Sequence, residues 1–194
     1  MDTRKINRLR ALAENNDGYV SVEEAKAIGI AQTYLGLAVE MGEFQKVGKG
    51  LYLAKGYARD DYHLLHHRYK KAVFSFLSSA YLHGLLEEEP PLQVYLPTNY
   101  MTKGIEGASC RHYGDKEYNT GLSLIVSPRG SIVPCYDIER TLIDILRRRQ
   151  EMPKSRFLSI FEKAKKIGFY EEKLWKYASL FHVEEELKLL FYLF

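Results

Sequence analysis

Six histidines, two cysteines and a tight serine cluster are the residues of this 194-residue chain that could make or break bonds, and their spacing puts none of them in a recognisable reactive arrangement. His63, His66 and His67 have helical spacing, but no carboxylate cluster or cysteine pair at a zinc-ligand interval stands beside them. Ser75, Ser78 and Ser79 lack the glycine-flanked elbow of a nucleophilic serine and read as a helix cap and small packing residues. Cys110 and His112 lie two apart on a strand-like run with no third group to activate the thiol. His83, before Gly84, reads as a helix-end residue favoured by the dipole. No phosphate-cradling glycine loop or HExxH occurs. The pattern predicts a protein without catalytic residues, metal or cofactor.

The chemistry that remains is recognition. Gln32, Thr33, Gly36 and Leu37 are types that meet base edges, while Lys49 on a neighbouring hairpin suits a phosphate. Tyr34 and Lys46 belong to the same expected surface, as do Arg4, Lys5 and Arg8, which with Arg10 flank the apolar stripe Ile6, Leu9 and Leu12 of a first helix.

The elements that must position these residues are well punctuated. Ser21 and Glu24 form a capping box, so a helix starts at Ser21, buries Val22, Ala25 and Ile28, and stops at Gly29. Ile30 plugs the turn. A second helix over 31–41 turns Leu35, Ala38 and Val39 inward and ends at Gly42. Strands over 44–47 and 51–53 then flank Gly48-Lys49-Gly50, whose glycines are expected to relieve positive φ at the turn. This is a winged helix-turn-helix that can place its second helix in a major groove. Residues 31–40 contain no Lys or Arg, and the alternative reading is a winged-helix module that binds a protein or small effector instead of DNA.

Charge and composition constrain the partners. Net charge is only +3, with nine basic against seven acidic residues over 1–59, eleven against twelve over 60–153 and eight against six over 154–194. DNA affinity must therefore come from local charge and from pairing on a repeated site. Cys110 and Cys135, a charged N-terminus and no signal peptide predict reduced thiols in a cytoplasm. No apolar run approaches the ~20 residues of a membrane span.

Residues 55–61 lack hydrophobic periodicity and read as a linker, dividing the chain into a DNA-binding domain over 1–58 and an α+β domain over 59–194 with a helical C-terminal subregion. In the second domain, a helix around Tyr62, Leu65 and Tyr69 precedes a strand at 72–74 and a helix capped by Ser75 that runs to Leu85. Strand-like runs follow at 93–96, 110–113, 122–126 and 132–136, then a helix capped by Asp137 through Arg149. Pro153 breaks it. Three helices complete the chain, the last with Leu187, Leu190, Phe191 and Phe194 as a stripe docked on Phe157, Phe161, Leu174 and Phe181. In the Asp137 helix, Glu139 with Arg140, and Asp144 with Arg147 or Arg148, have the spacing of a partly buried ion network tying it to the sheet; a minority reading has Arg140 and 147–149 facing a partner or phosphate.

Three segments, GIAQTYLGLAVEMGEFQKVGKGLYL, SSAYLHGL (78–85) and YDIERTLIDILR (136–147), in this order and spacing, resemble the AbiEi family of antitoxins from bacterial abortive-infection, type IV toxin-antitoxin systems. The most specific elements are the run ending in GKGLYL and the pattern Glu139, Arg140, Thr141, Asp144, Arg147. Where members of that family often carry Arg or Lys on the recognition helix, this chain has Gln32, Leu37, Glu40 and Met41. The resemblance implies an N-terminal winged helix that binds inverted repeats in its own promoter and represses the operon. It also implies a C-terminal domain that counteracts an adjacent nucleotidyltransferase-like toxin, AbiEii, without a stable complex. No membrane partner is expected.

Overall fold

Ile6, Leu9 and Ala13 recur at helical spacing, and in the computed structural model, which describes residues 3–102 and 104–192, they form the buried side of α1 (Thr3–Glu14). Leu12, expected in that stripe, is only half-buried at its margin. The chain divides into two compact units, residues 1–64 with 128–131, and residues 65–127 with 132–194.

The first unit is a winged helix-turn-helix. After α1 come β1 (Tyr19–Ser21), α2 (Val22–Ala27), α3 (Gln32–Glu40), β2 (Phe44–Gly48) and β3 (Leu51–Ala54), the strands pairing antiparallel in the order β1-β3-β2. The capping box is complete: Glu24 N donates to Ser21 Oγ at 3.1 Å and Ser21 N donates to Glu24 Oε2 at 2.7 Å. Such a cap contributes about 1 kcal/mol. Gly29 turns at φ +73 and delivers Ile30, 1% exposed, into the core beside Leu35 and Ala38. At the hairpin, the structure corrects the expectation for its glycines. Gly50 alone takes the left-handed conformation, at φ +70, whereas β2 reaches Gly48 through a register shift that follows Lys46.

α4 (Asp61–Arg68) starts in the first unit and ends in the second. Beyond it lie β4 (Val73–Phe74), α5 (Phe76–Leu82), β5 (Leu92–Pro97), β6 (Ala108–Tyr113), α6 (Asp115–Asn119), β7 (Leu122–Val126) and β8 (Ile132–Tyr136). Four helices include α7 (Ile138–Arg147), α8 (Lys154–Ile167), α9 (Glu171–Leu180) and α10 (Glu184–Phe191). The sheet order is β6-β5-β4-β8-β7. β4 is only two residues long yet central, because Phe74 pairs antiparallel with Val94 on one side and parallel with Cys135 on the other.

Three expectations need correction here. Ser75 holds the cap position of α5 but its side chain makes no capping bond; α5 ends at Leu82, and Gly84 turns the chain at φ +74. The Asp137 helix stops at Arg147, followed by a single 3-10 turn over Arg149–Glu151. Asp137 does cap it, accepting from Arg140 N at 2.8 Å.

α7 supplies Leu142, Ile143, Ile145 and Leu146 to a core completed by Phe157, Phe161, Leu174, Phe181, Leu187 and Leu190. The C-terminal helix is therefore docked on the elements expected. Phe191 is half-buried with its ring 5.6 Å from Trp175, and Phe194 lies outside the described residues. The whole is an α+β fold. Among the described residues no helix is long and apolar enough to cross a membrane.

Candidate nucleic-acid interface

With Leu35 and Ala38 at 0% exposure on its inner side, α3 leaves Gln32, Thr33, Gly36, Leu37, Glu40 and the following Met41 on the outer one. These six positions fall in two rows of four-residue spacing, so they share one face. Leu37 is 40% and Met41 54% exposed, which sets two apolar groups among polar ones. The four residues expected to meet bases are thus presented together to solvent.

The expected cations divide into two groups. Lys46 and Lys49 on the hairpin are exposed and make no ion pair among the described residues. Those of α1 are partly committed elsewhere: Lys5 Nζ sits 4.0 Å from the centre of the Tyr34 ring, Arg8 donates to the Ile28 carbonyl, and Arg10 Nε donates to Glu43 at 3.1 Å. Tyr34 is half-buried under that lysine, so it packs α1 against α3. Lys5, Arg8 and Tyr34 therefore tie α1 to the helix-turn-helix, because long side chains flanking a buried stripe reach the neighbouring elements. Arg4 remains exposed.

Lys49 is thus the cation best placed to test phosphate contact. Lys49→Ala is expected to weaken binding to all DNA sequences alike and to reduce the slope of log K against log salt by about 0.9, one phosphate's share. A titration giving wild-type affinity and slope would remove the hairpin from the interface.

The second constellation, on α7, is buried. Arg140 is 0% exposed; its Nε bonds Asp144 at 3.1 Å and its Nη1 donates to the carbonyls of Thr120, at 2.9 Å, and Glu117. Its guanidinium carbon lies 4.0 Å from the Phe181 ring centre and 4.5 Å from that of Tyr136, so aromatic faces meet the planar cation where carbonyls do not. Gly121 permits this approach: at φ +81, a Cβ there would lie 2.6 Å from the Arg140 Cβ. Burial pushes the Asp144 carboxyl above its ordinary range, against the opposing charges of Arg140, Arg147 and Arg148.

The pairing expected on this helix is corrected in two places. Glu139 does not pair with Arg140, since adjacent helical positions diverge by about 100°; it accepts from Tyr170 N at 2.8 Å and pairs with Lys173 at 3.3 Å, joining α7 to the start of α9. Of the two partners expected for Asp144, Arg147 is the one that pairs, at 3.9 Å, while Arg148 pairs with Glu151 at 2.7 Å; what the expectation lacked is Arg140 as the nearer partner, at 3.1 Å. Thr141 Oγ1 donates to Asp137 O at 2.8 Å and lies 2.5 Å from Ser79 Oγ, which also bonds Tyr136 O. Lys173, the partner that completes the network, was not anticipated; its distance in sequence from Asp137 and Glu139 left no local signal.

The remaining candidates are not assembled into a site. Cys110 and Cys135 are free thiols, and burial pushes that of Cys135 up to about 12. His83 Nε2 contacts Tyr136 O at 2.7 Å at the end of α5. Among the described residues, no group of three or more His, Cys, Asp or Glu could hold a metal ion.

Residues 7–55 match the family model described as the transcriptional regulator, AbiEi antitoxin. The first unit is therefore similar to the regulator domain of that antitoxin family. No curated protein matches the chain. Among solved structures, the crystal structure of the RV2827C protein from Mycobacterium tuberculosis has a similar fold, with a TM-score of 0.60 at 16% identity over 91% of this chain and 71% of that one.

Proposed function

We propose that this chain, whose residues 7–55 match the AbiEi regulator model, is a cytoplasmic transcriptional repressor and antitoxin without catalytic activity. Its first unit binds inverted repeats in the promoter of its own operon. Its second unit counteracts a nucleotidyltransferase-like toxin encoded beside it, and the two do not form a stable complex. The domain division that goes with this reading is 1–58 for DNA and 59–194 for antitoxin action.

The observation that carries the reading is the exposed face of α3 together with two hairpin lysines that make no ion pair among the described residues, on a scaffold that matches the regulator family. The second unit offers support of another kind. The Ser79 hydroxyl is engaged by Thr141 and Tyr136, and the Cys135 thiol is buried, so these potential nucleophiles serve packing. A protein-binding winged helix is the competing reading, favoured by the absence of Lys and Arg from α3 and by the exposure of Leu37 and Met41.

A mobility-shift titration of the full chain on the DNA upstream of its gene, at two stated salt concentrations, separates these readings. The expected result is a shift that random DNA does not compete away. In cells carrying the toxin, residues 59–194 alone are expected to protect while leaving the promoter unrepressed. Failure to retard either DNA would favour the protein-binding module, equal retardation of both would remove promoter specificity, and protection by residues 1–58 alone would reverse the division of labour.

A further inference from the structure

Gly36 stands in the middle of α3, where glycine weakens a helix relative to alanine, and nothing inside the protein requires it there. Its φ is not left-handed, and a Cβ built on it would meet no atom of the described residues within 4 Å. Neither backbone conformation nor internal packing explains the missing side chain. What the glycine does is lower the outer surface of α3 at the centre of the face formed by Gln32, Thr33, Leu37 and Glu40, so that a partner surface can approach the helix by one methyl group's depth.

We propose that α3 reads A·T base pairs by lying close to the floor of the major groove, with Gly36 at the point of nearest approach, Gln32 bonding adenine and Leu37 meeting the thymine methyl. The proposal rests on the DNA-binding reading above and specifies the bases recognised. A glutamine amide matches the N6 and N7 groups of adenine, and an apolar side chain matches the C5 methyl of thymine. Guanine is most often read by Arg or Lys, and this face has neither. Glu40, one turn beyond Gly36 and exposed, repels a close phosphate, so that end of α3 gains nothing from the backbone. Phosphate attraction falls to Lys46 and Lys49 on the hairpin, which leaves α3 free to be neutral.

The test uses the full chain and a duplex selected from a random library at stated salt. The selected site is expected to hold A·T pairs at its core. Replacing one core thymine by uracil, which removes only the methyl, should weaken binding about 5-fold or more, and Leu37→Ser should abolish that difference. Gly36→Ala should raise the melting temperature while weakening the selected site at least 10-fold and sparing random DNA at low salt. Those opposed changes are the signature of a residue kept for its partner. A lower melting temperature, unchanged affinity, a G·C core or indifference to uracil would each overturn the proposal. Failure of the wild-type chain to retard any DNA would instead overturn the DNA-binding reading on which it rests.

Discussion

Arg140→Met is expected to destabilise the second unit by about 3–5 kcal/mol at neutral pH, because it leaves Asp144, 1% exposed, as a buried charge without its nearest partner. Methionine fills much of the volume, so the loss tests charge more than packing. The Asp144 carboxyl already lies above its ordinary range through burial, and losing Arg140 raises it further. For an acid whose folded-state pKa exceeds its unfolded one, the destabilisation is absent below the unfolded pKa and grows as pH rises through the folded value. The deficit of the variant relative to wild type should therefore be larger at pH 7 than near pH 4, the ordinary aspartate range. Urea unfolding at both pH values would show this. Arg140→Met with Asp144→Leu should recover most of the loss, since a buried pair replaced by apolar groups can be nearly neutral. Equal deficits at both pH values, with no recovery in the double variant, would assign the loss to packing.

Leu187→Ala, at a side chain of 0% exposure, should cost about 2–5 kcal/mol. Removing residues 184–194 also removes buried Leu190, at roughly 1.5–3 kcal/mol, and half-buried Phe191, at less. Against a total stability of about 5–15 kcal/mol, that deletion should leave the second unit largely unfolded at 37 °C and prone to aggregate. Calorimetry of the soluble fraction would register the loss as a missing transition. DNA binding should persist in whatever protein stays soluble. A deletion protein with an unshifted transition would show that α10 adds nothing to the core.

The elements read most readily in the sequence were those with local punctuation. Ser21, Glu24, Gly29 and Gly42 mark the ends of α2 and α3 within a few residues, and the turn residues that separate the strand-like runs at 93–96 and 110–113 mark β5 and β6. β1 escaped because Tyr19, Val20 and Ser21 are all buried, so no alternation exists, and because Ser21 also serves as the cap. α6 escaped because five residues, four of them polar or charged, carry no helical stripe. The full burial of Arg140 was beyond local reading, since it depends on carbonyls at 117 and 120 and on rings at 136 and 181. For the interface, spacing was enough to place Gln32, Thr33, Gly36 and Leu37 on one surface. It did not reveal that Lys5 and Arg8 have partners on other elements, because those contacts join residues 29 and 20 positions apart.

The pairing of Phe74 with Cys135 has a consequence for synthesis. The sheet of the first unit is complete once Ala54 has been made, since Tyr19 pairs with Leu53. That of the second unit lacks a neighbour on one side of its central strand until Cys135 emerges, and its core lacks Leu187 and Leu190 until nearly the last codons are read. At ~5–20 residues per second, translation leaves an interval on the order of ten seconds in which a nascent chain can carry a finished winged helix and an unfinished second unit. A fragment released in that interval would carry the winged helix alone, so the two activities proposed for this chain would mature in a fixed order, promoter recognition first.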